Sequence, residues 1–271
     1  MLKRNLALRL CFVFTAISSY SQTIEKTVTI QQPKSGASRY YYVPFEVPTG
    51  TKSLSVSYTY DKKNGDNVLD LGLFDSGFDE AGKSVEGFRG WSGGRRNTVF
   101  IAKNEATNGY LPARIPPGKW QVILGLYKVV PTGVEVKLTI GLNEIDKEAG
   151  AERNSENAAV FNFEKMAHVS PTTINGLTWY RGDLHMHSFN SDGNWTLASF
   201  LDYAEANNLD FIGVTDHNTT SHHAELNQLS PKHCGLLVMR GEEVTTYGGH
   251  CPGWIRSRFG MERGTQPTRW R

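Results

Sequence analysis

Cysteine is scarce in this chain, with three among 271 residues. Cys11 falls in the N-terminal leader, so only Cys234 and Cys251 remain. Two thiols exclude a disulfide framework and a structural Cys-type zinc site. They could pair in an oxidising compartment, and the sequence leaves that open. A membrane span is also missing from the start of the chain. The apolar run Leu10 to Ile17 follows Lys3, Arg4 and Arg9 and precedes Ser19-Tyr20-Ser21. Too short to cross a bilayer, it reads as a secretory signal peptide, residues 1–21, cut before Gln22. A retained anchor is the rival reading. A lipoprotein signal fits less well, because Cys11 lies at the start of the apolar run instead of ending it. The expected location is periplasmic or secreted.

A charge excess is lacking as well. The formal net charge is +2, of which the leader contributes +3 and residues 251–271 contribute +4, leaving −5 on residues 22–250. A mildly acidic body gives no electrostatic case for nucleic acid. No internal repeat is evident, which argues against a solenoid. Hydrophobic residues at 39% and charged residues at 21% lie near globular averages, so wholesale disorder is excluded.

The patterning divides the chain. Residues 22–142 read as all-β: "TVTI", "RYYYVPFEV", "SLSVSYTY", "VLDLGLF", "NTVFIA", "WQVILGLYKV" and "VEVKLTIGL" are short and rich in β-branched or aromatic residues. Turn signals separate them, including Pro48-Thr-Gly50 and Pro116-Pro-Gly118, and predict a β-sandwich or jelly roll. "GFRGWSGGRR" (87–96) reads as a structural loop, with a ligand-binding loop as the alternative. Residues 143–176 are polar and read as a linker or exposed helix. From Leu177 the pattern alternates strand and helix. Thr196 is placed to cap a helix whose Leu197, Phe200, Leu201 and Ala204 share one face. Apolar strands between helices predict a parallel sheet, with polar motifs at the strand ends.

Those motifs carry the chemistry. "GDLHMHSFNSDG" (182–193) places His185 and His187 two residues apart, on one side of a strand, with Asp192 on the following loop. "VTDHN" (214–218) supplies Asp216 and His217, "RGEEVTT" (240–246) supplies Glu242 or Glu243, and "GGH" (248–250) supplies His250. Imidazole and carboxylate together suit zinc, manganese or iron. Neighbours in a strand face opposite ways, so only one of Glu242 and Glu243 can point inward. His222, His223 and His233 read as hydrogen-bonded structural residues.

In order and spacing these motifs resemble the PHP family (polymerase and histidinol phosphatase domains), in particular its secreted carbaryl-hydrolase-like branch. The resemblance covers roughly residues 178–250. It implies a distorted seven-stranded α/β barrel, of which this chain would hold the first part, residues 177–250. It also implies two or three divalent metals. His185 and His187 match ligands of the first metal, and Asp192 and His217 ligands of the third. Glu243 matches the glutamate that bridges the first two, and His250 a ligand of the second. Asp216 matches an outer-shell orienter of a ligand.

After His250 the pattern departs from the family. Residues 251–271 contain five arginines and neither histidine nor aspartate, and do not read as barrel strands. They are expected to be an atypical basic tail, with a frameshift near codon 250 truncating the barrel. The function expected is hydrolysis of a small phosphoester or related ester by metal-activated water, in doubt for a truncated chain. The alternative is a secreted binding protein whose β-sandwich contacts a glycan or surface partner beside a vestigial metal domain.

Overall fold

The computed structural model describes residues 21–79, 86–143, 170–233 and 235–255. Residues 1–20 of the expected signal segment, Cys234, most of the expected linker and most of the expected basic tail lie outside the described residues. Among those described, no helix is long and apolar enough to cross a membrane.

Strict alternation builds the first half. In Val134–Leu142, Val134, Val136 and Leu138 are buried while Glu135, Lys137 and Thr139 are exposed, the period-two pattern of a strand with one face on a core. That strand, β8, lies in an antiparallel sheet of order β1-β8-β3-β6, with β1 Gln22–Ile30, β3 Ser53–Tyr60 and β6 Thr98–Ala102. A second antiparallel sheet has the order β2-β7-β4-β5, with β2 Tyr40–Val47, β4 Val68–Phe74, β5 Phe88–Trp91 and β7 Gly118–Lys128. Side chains of both sheets form one hydrophobic cluster around the fully buried Trp120, so the two make a sandwich. Each large side chain so buried stabilises the fold by about 1.5–3 kcal/mol. The polar tips of the buried aromatics are satisfied. Trp120 Nε1 donates to the Pro116 carbonyl at 2.9 Å, Tyr58 Oη to Leu69 at 2.7 Å and Tyr110 Oη to Leu71 at 2.9 Å.

The second half corrects the expectation of an α/β barrel. The chain is mostly β, in several sheets that are largely antiparallel, and its described helices are short. Strands β11 (Gly182–Met186), β12 (Phe211–Val214) and β13 (Leu237–Thr246) pair in parallel, but β14 (Gly249–Ile255) returns antiparallel on β13. The result is an open four-stranded mixed sheet of order β11-β12-β13-β14. Strand β14 also corrects the reading of residues 251–255 as tail. Pro252 and Gly253, which argue against a central strand, are accommodated because β14 is an edge. Residues Thr172–Ile174 (β9) and Leu177–Trp179 (β10) form a small hairpin instead of linker and first barrel strand. The reading of 87–96 as loop alone is corrected too, since Phe88–Trp91 is β5.

Helix α1, Leu197–Ala206, follows β11. Thr196 caps it by accepting the Ser199 N–H at 3.1 Å, and Leu197, Phe200, Leu201 and Ala204 bury its inner face. Helix α2, His223–Leu229, precedes β13 and buries Leu226. Together with Met186, Ile212 and Val214 these residues form a second core beneath the sheet.

Candidate metal centre

Five segments converge at one end of the mixed sheet. Strand β11 ends in Met186, and its register against β12 shifts between Asp183 and Met186. A shift of this kind re-aims side chains at a strand end. His185 and His187 emerge on the same side, and each brings Nε2 to 3.0 Å from Glu243 Oε2. His217, just beyond β12, lies in a parallel bridge with Glu243, its Nδ1 3.3 Å from the same oxygen. Its Nδ1 also meets Thr245 Oγ1. His250 on β14 pairs with Thr245 of β13 and places Nδ1 3.1 Å from Glu243 Oε1. Asp192, on the loop after β11, faces His187 Nδ1 at 3.1 Å and His217 Nε2 at 3.5 Å.

All six expected ligands therefore meet around Glu243, whose side chain is 3% exposed. Glu242 points the other way, and burial raises its carboxyl pKa. Burial pushes Glu243 upward as well. The hydrogen bond from His185 and the charges of His217, His185 and His187 outweigh it, holding the carboxyl below its usual value.

The donor set fits a divalent cation. His187 and His217 each present both ring nitrogens to carboxylate oxygens. A neutral imidazole has one N–H and one lone pair, so one nitrogen of each ring would face a carboxylate unfavourably unless the ring were charged or a cation lay between. Burial, followed by the neighbouring His187, lowers the His217 pKa and disfavours the charged ring. Ligands at about 2.1 Å from a tetrahedral ion stand about 3.4 Å apart, and the donor separations here run from 3.0 to 3.5 Å. In three overlapping triads the donor atoms all lie within 4.8 Å of one another: His185, His187 and Glu243; His187, Asp192 and His217; His217, Glu243 and His250.

Asp216, expected as an outer-shell orienter of a ligand, sits behind the loop that carries Asp192. Fully buried, its carboxylate accepts the Ser188 N–H at 2.7 Å, the Ser188 hydroxyl at 2.6 Å and the Ser191 hydroxyl at 2.6 Å. It also faces the buried His222 at 3.2 Å. It fixes the loop that carries Asp192. The three other described histidines stay outside the cluster. His222 faces Asp216, His223 Nε2 lies 2.9 Å from the Gly241 carbonyl and His233 Nδ1 lies 2.9 Å from Glu205 Oε1.

The sandwich supplies contacts that motif spacing does not signal. Arg96, 4% exposed, donates to the Phe189 carbonyl at 2.8 Å, and Arg95 donates to the Asp192 carbonyl at 2.8 Å. Gly109 N–H donates to Ser221 Oγ at 3.2 Å, while Thr219 Oγ1 donates to the Gly109 carbonyl at 3.0 Å. Tyr247, at the turn between β13 and β14, donates to Asp70 Oδ2 at 2.7 Å. The only sequence signal for these contacts is the pair of arginines ending "GFRGWSGGRR".

No family model matches this chain, and no curated protein matches it. Among solved structures it is similar to PliG of Aeromonas hydrophila, a periplasmic inhibitor of g-type lysozyme, at 15% identity and a TM-score of 0.27, over 48% of this chain and 93% of that one. PliG of Salmonella Typhimurium gives 12% identity and a TM-score of 0.20, over 48% and 95%. The cyanophage Pam1 capsid asymmetric unit gives 13% and 0.30, over 52% and 96%. At these TM-scores nothing about the activity of this chain follows from the likeness.

Proposed function

We propose that this is an exported protein whose mixed sheet carries a divalent-metal centre for hydrolysing a phosphoester or a related ester. What supports the reading is the meeting of four imidazoles and two carboxylates from five chain segments around the buried Glu243. The motif order that resembles the PHP family supports the same chemistry, without its barrel. His185, His187, His217, His250, Asp192 and Glu243 would hold zinc, manganese or iron. A bound cation would activate water near neutral pH and polarise the phosphoryl or carbonyl oxygen under attack. Glu243, kept ionised by its histidine neighbours, supplies the central negative charge. Asp216 positions Asp192 through Ser188 and Ser191.

The test is the metal content of the purified full chain by mass spectrometry, with turnover of nitrophenyl phosphodiester and ester substrates. At least one equivalent of metal, lost together with turnover in a His185→Ala/His187→Ala double mutant, is the expected result. Metal-free wild type after loading, or turnover that survives the double mutant, would sink the reading.

A second reading is a secreted binding protein that uses the sandwich. The observation in its favour is that Tyr41, Tyr42 and Tyr127, on the paired strands β2 and β7, are each more than a third exposed. Exposed aromatics are enriched at protein interfaces. It predicts partner capture that the His185→Ala/His187→Ala double mutant leaves intact.

A further inference from the structure

The two arginines that end the sandwich's 87–96 segment do different work. Arg96 is buried and anchors the Phe189 carbonyl. Arg95 is exposed, yet it is held in place. Its guanidinium lies 5.1 Å from the centroid of the Phe189 ring, and one N–H donates to the Asp192 carbonyl. Among the described residues it forms no ion pair. A guanidinium stays charged at any working pH and carries five donors in a planar fork. Only one of those donors is needed for the Asp192 carbonyl. Ring stacking restrains a side chain that would otherwise lose rotamer freedom on binding.

Its position gives this cation a use. The residue whose carbonyl it holds, Asp192, carries a carboxylate that is 62% exposed and faces His187 and His217. Arg95 is therefore an exposed cation held at the backbone of Asp192, one member of the His187–Asp192–His217 triad. A fixed, un-neutralised arginine beside a metal-ligating cluster is the arrangement that clamps an oxyanion by charge-assisted hydrogen bonds.

Resting on the metal-centre reading above, we propose that Arg95 is a specificity-determining residue and that the substrate is an anionic ester, bearing a phosphate or carboxylate oxyanion next to the bond that is cut. The sandwich would then complete the substrate site and not only support it.

The experiment uses the full, metal-loaded chain with nitrophenyl phosphate, bis(nitrophenyl) phosphate and nitrophenyl acetate. Arg95→Gln should lower kcat/KM on the two anionic substrates by about 10–100-fold, chiefly through KM. That loss should exceed the loss on the neutral acetate by tenfold or more, and Arg95→Lys should recover part of it. The larger of the two anionic effects tells a monoester site from a diester site. An equal loss on all three substrates, with metal content matching wild type, would make Arg95 only a support for Asp192 and overturn the proposal. Wild type without metal or turnover would remove the metal-centre reading, and this proposal with it.

Discussion

Gly193 lies so close to His187 that a Cβ built on it would come within 1.7 Å of the His187 carbonyl oxygen. No side chain fits there without moving the backbone of His187, one of the residues proposed to hold the metal. Gly193 N–H also donates to the Ser188 carbonyl at 3.1 Å, which closes the loop that carries Asp192. Gly193→Ala is therefore expected to cost about 1–3 kcal/mol, the usual range for overpacking. Denaturant unfolding measures the cost. Because the displaced oxygen belongs to His187, metal content should fall with it, while a substitution at the exposed Gly36, with nothing within 4 Å, should leave metal content unchanged.

Asp216 makes a second prediction about the same loop. Its buried carboxylate accepts from the Ser188 N–H, the Ser188 hydroxyl and the Ser191 hydroxyl. Asp216→Asn keeps the shape but replaces one acceptor oxygen with a donor, which sets an amide against groups that are themselves donors. The expected destabilisation is about 2–4 kcal/mol, in the range for breaking a buried charge-centred network. Thermal unfolding checks it. An Asn variant as stable as wild type would mean that the serine hydroxyls can turn round and that the carboxylate's charge is not needed.

How much of this could be read in advance differs between the two halves. The sandwich strands were legible because one face of each meets a core, which stamps a period of two on residues such as Val134 to Leu142. The residues that meet around Glu243 were legible because a strand end puts His185 and His187 on one side, and because Glu243 and Glu242 must part. The barrel was not there to be read. Whether strand β13 is followed by another parallel strand or by an antiparallel return depends on a short turn, Tyr247-Gly248, and on an edge strand whose Pro252 and Gly253 hide it from any propensity argument. The sandwich's grip on the site was illegible for a different reason. Arg95 lies 97 residues from Asp192 in sequence, and Tyr247 lies 177 from Asp70, so no local pattern links them.

His223 gives the protein a pH dependence of definite sign. Burial, then the neighbouring His222, lowers its pKa from the ordinary 6.5 to about 4. A histidine whose folded pKa is depressed contributes stability that is present above its unfolded pKa and is lost as pH falls through the folded one. Stability should thus decline between pH 6.5 and about 4, by roughly 3 kcal/mol from this residue. Urea unfolding at several pH values in wild type and in His223→Gln separates it from the other histidines. Glutamine can still donate to the Gly241 carbonyl but does not titrate, so its profile should be flatter over that interval. Parallel profiles would show that His223 is not the group responsible.

Tyr247 ties the turn between β13 and β14 to the sandwich, and its loss should be felt at both ends. Burial raises the Asp70 carboxyl pKa, and the hydrogen bond from Tyr247 holds it down in part. Tyr247→Phe removes that donor and leaves a partly buried carboxylate without it, at a cost of about 1–3 kcal/mol at pH 7. A carboxyl with a raised folded pKa contributes stability below its unfolded pKa and loses it as pH rises. The variant raises that pKa further, so its penalty should be full at pH 7 and shrink as pH falls and Asp70 is protonated. Thermal melts of the two proteins at pH 7 and at pH 4 test the sign, and a penalty that grows on acidification would refute it. The same turn leads into His250, which stands 3.1 Å from Glu243. Metal bound by His217, Glu243 and His250 should therefore weaken in Tyr247→Phe before metal bound by His187, Asp192 and His217 does. A titration with a chelator, read as two release steps by mass spectrometry, would show only the first step moving to lower chelator concentration.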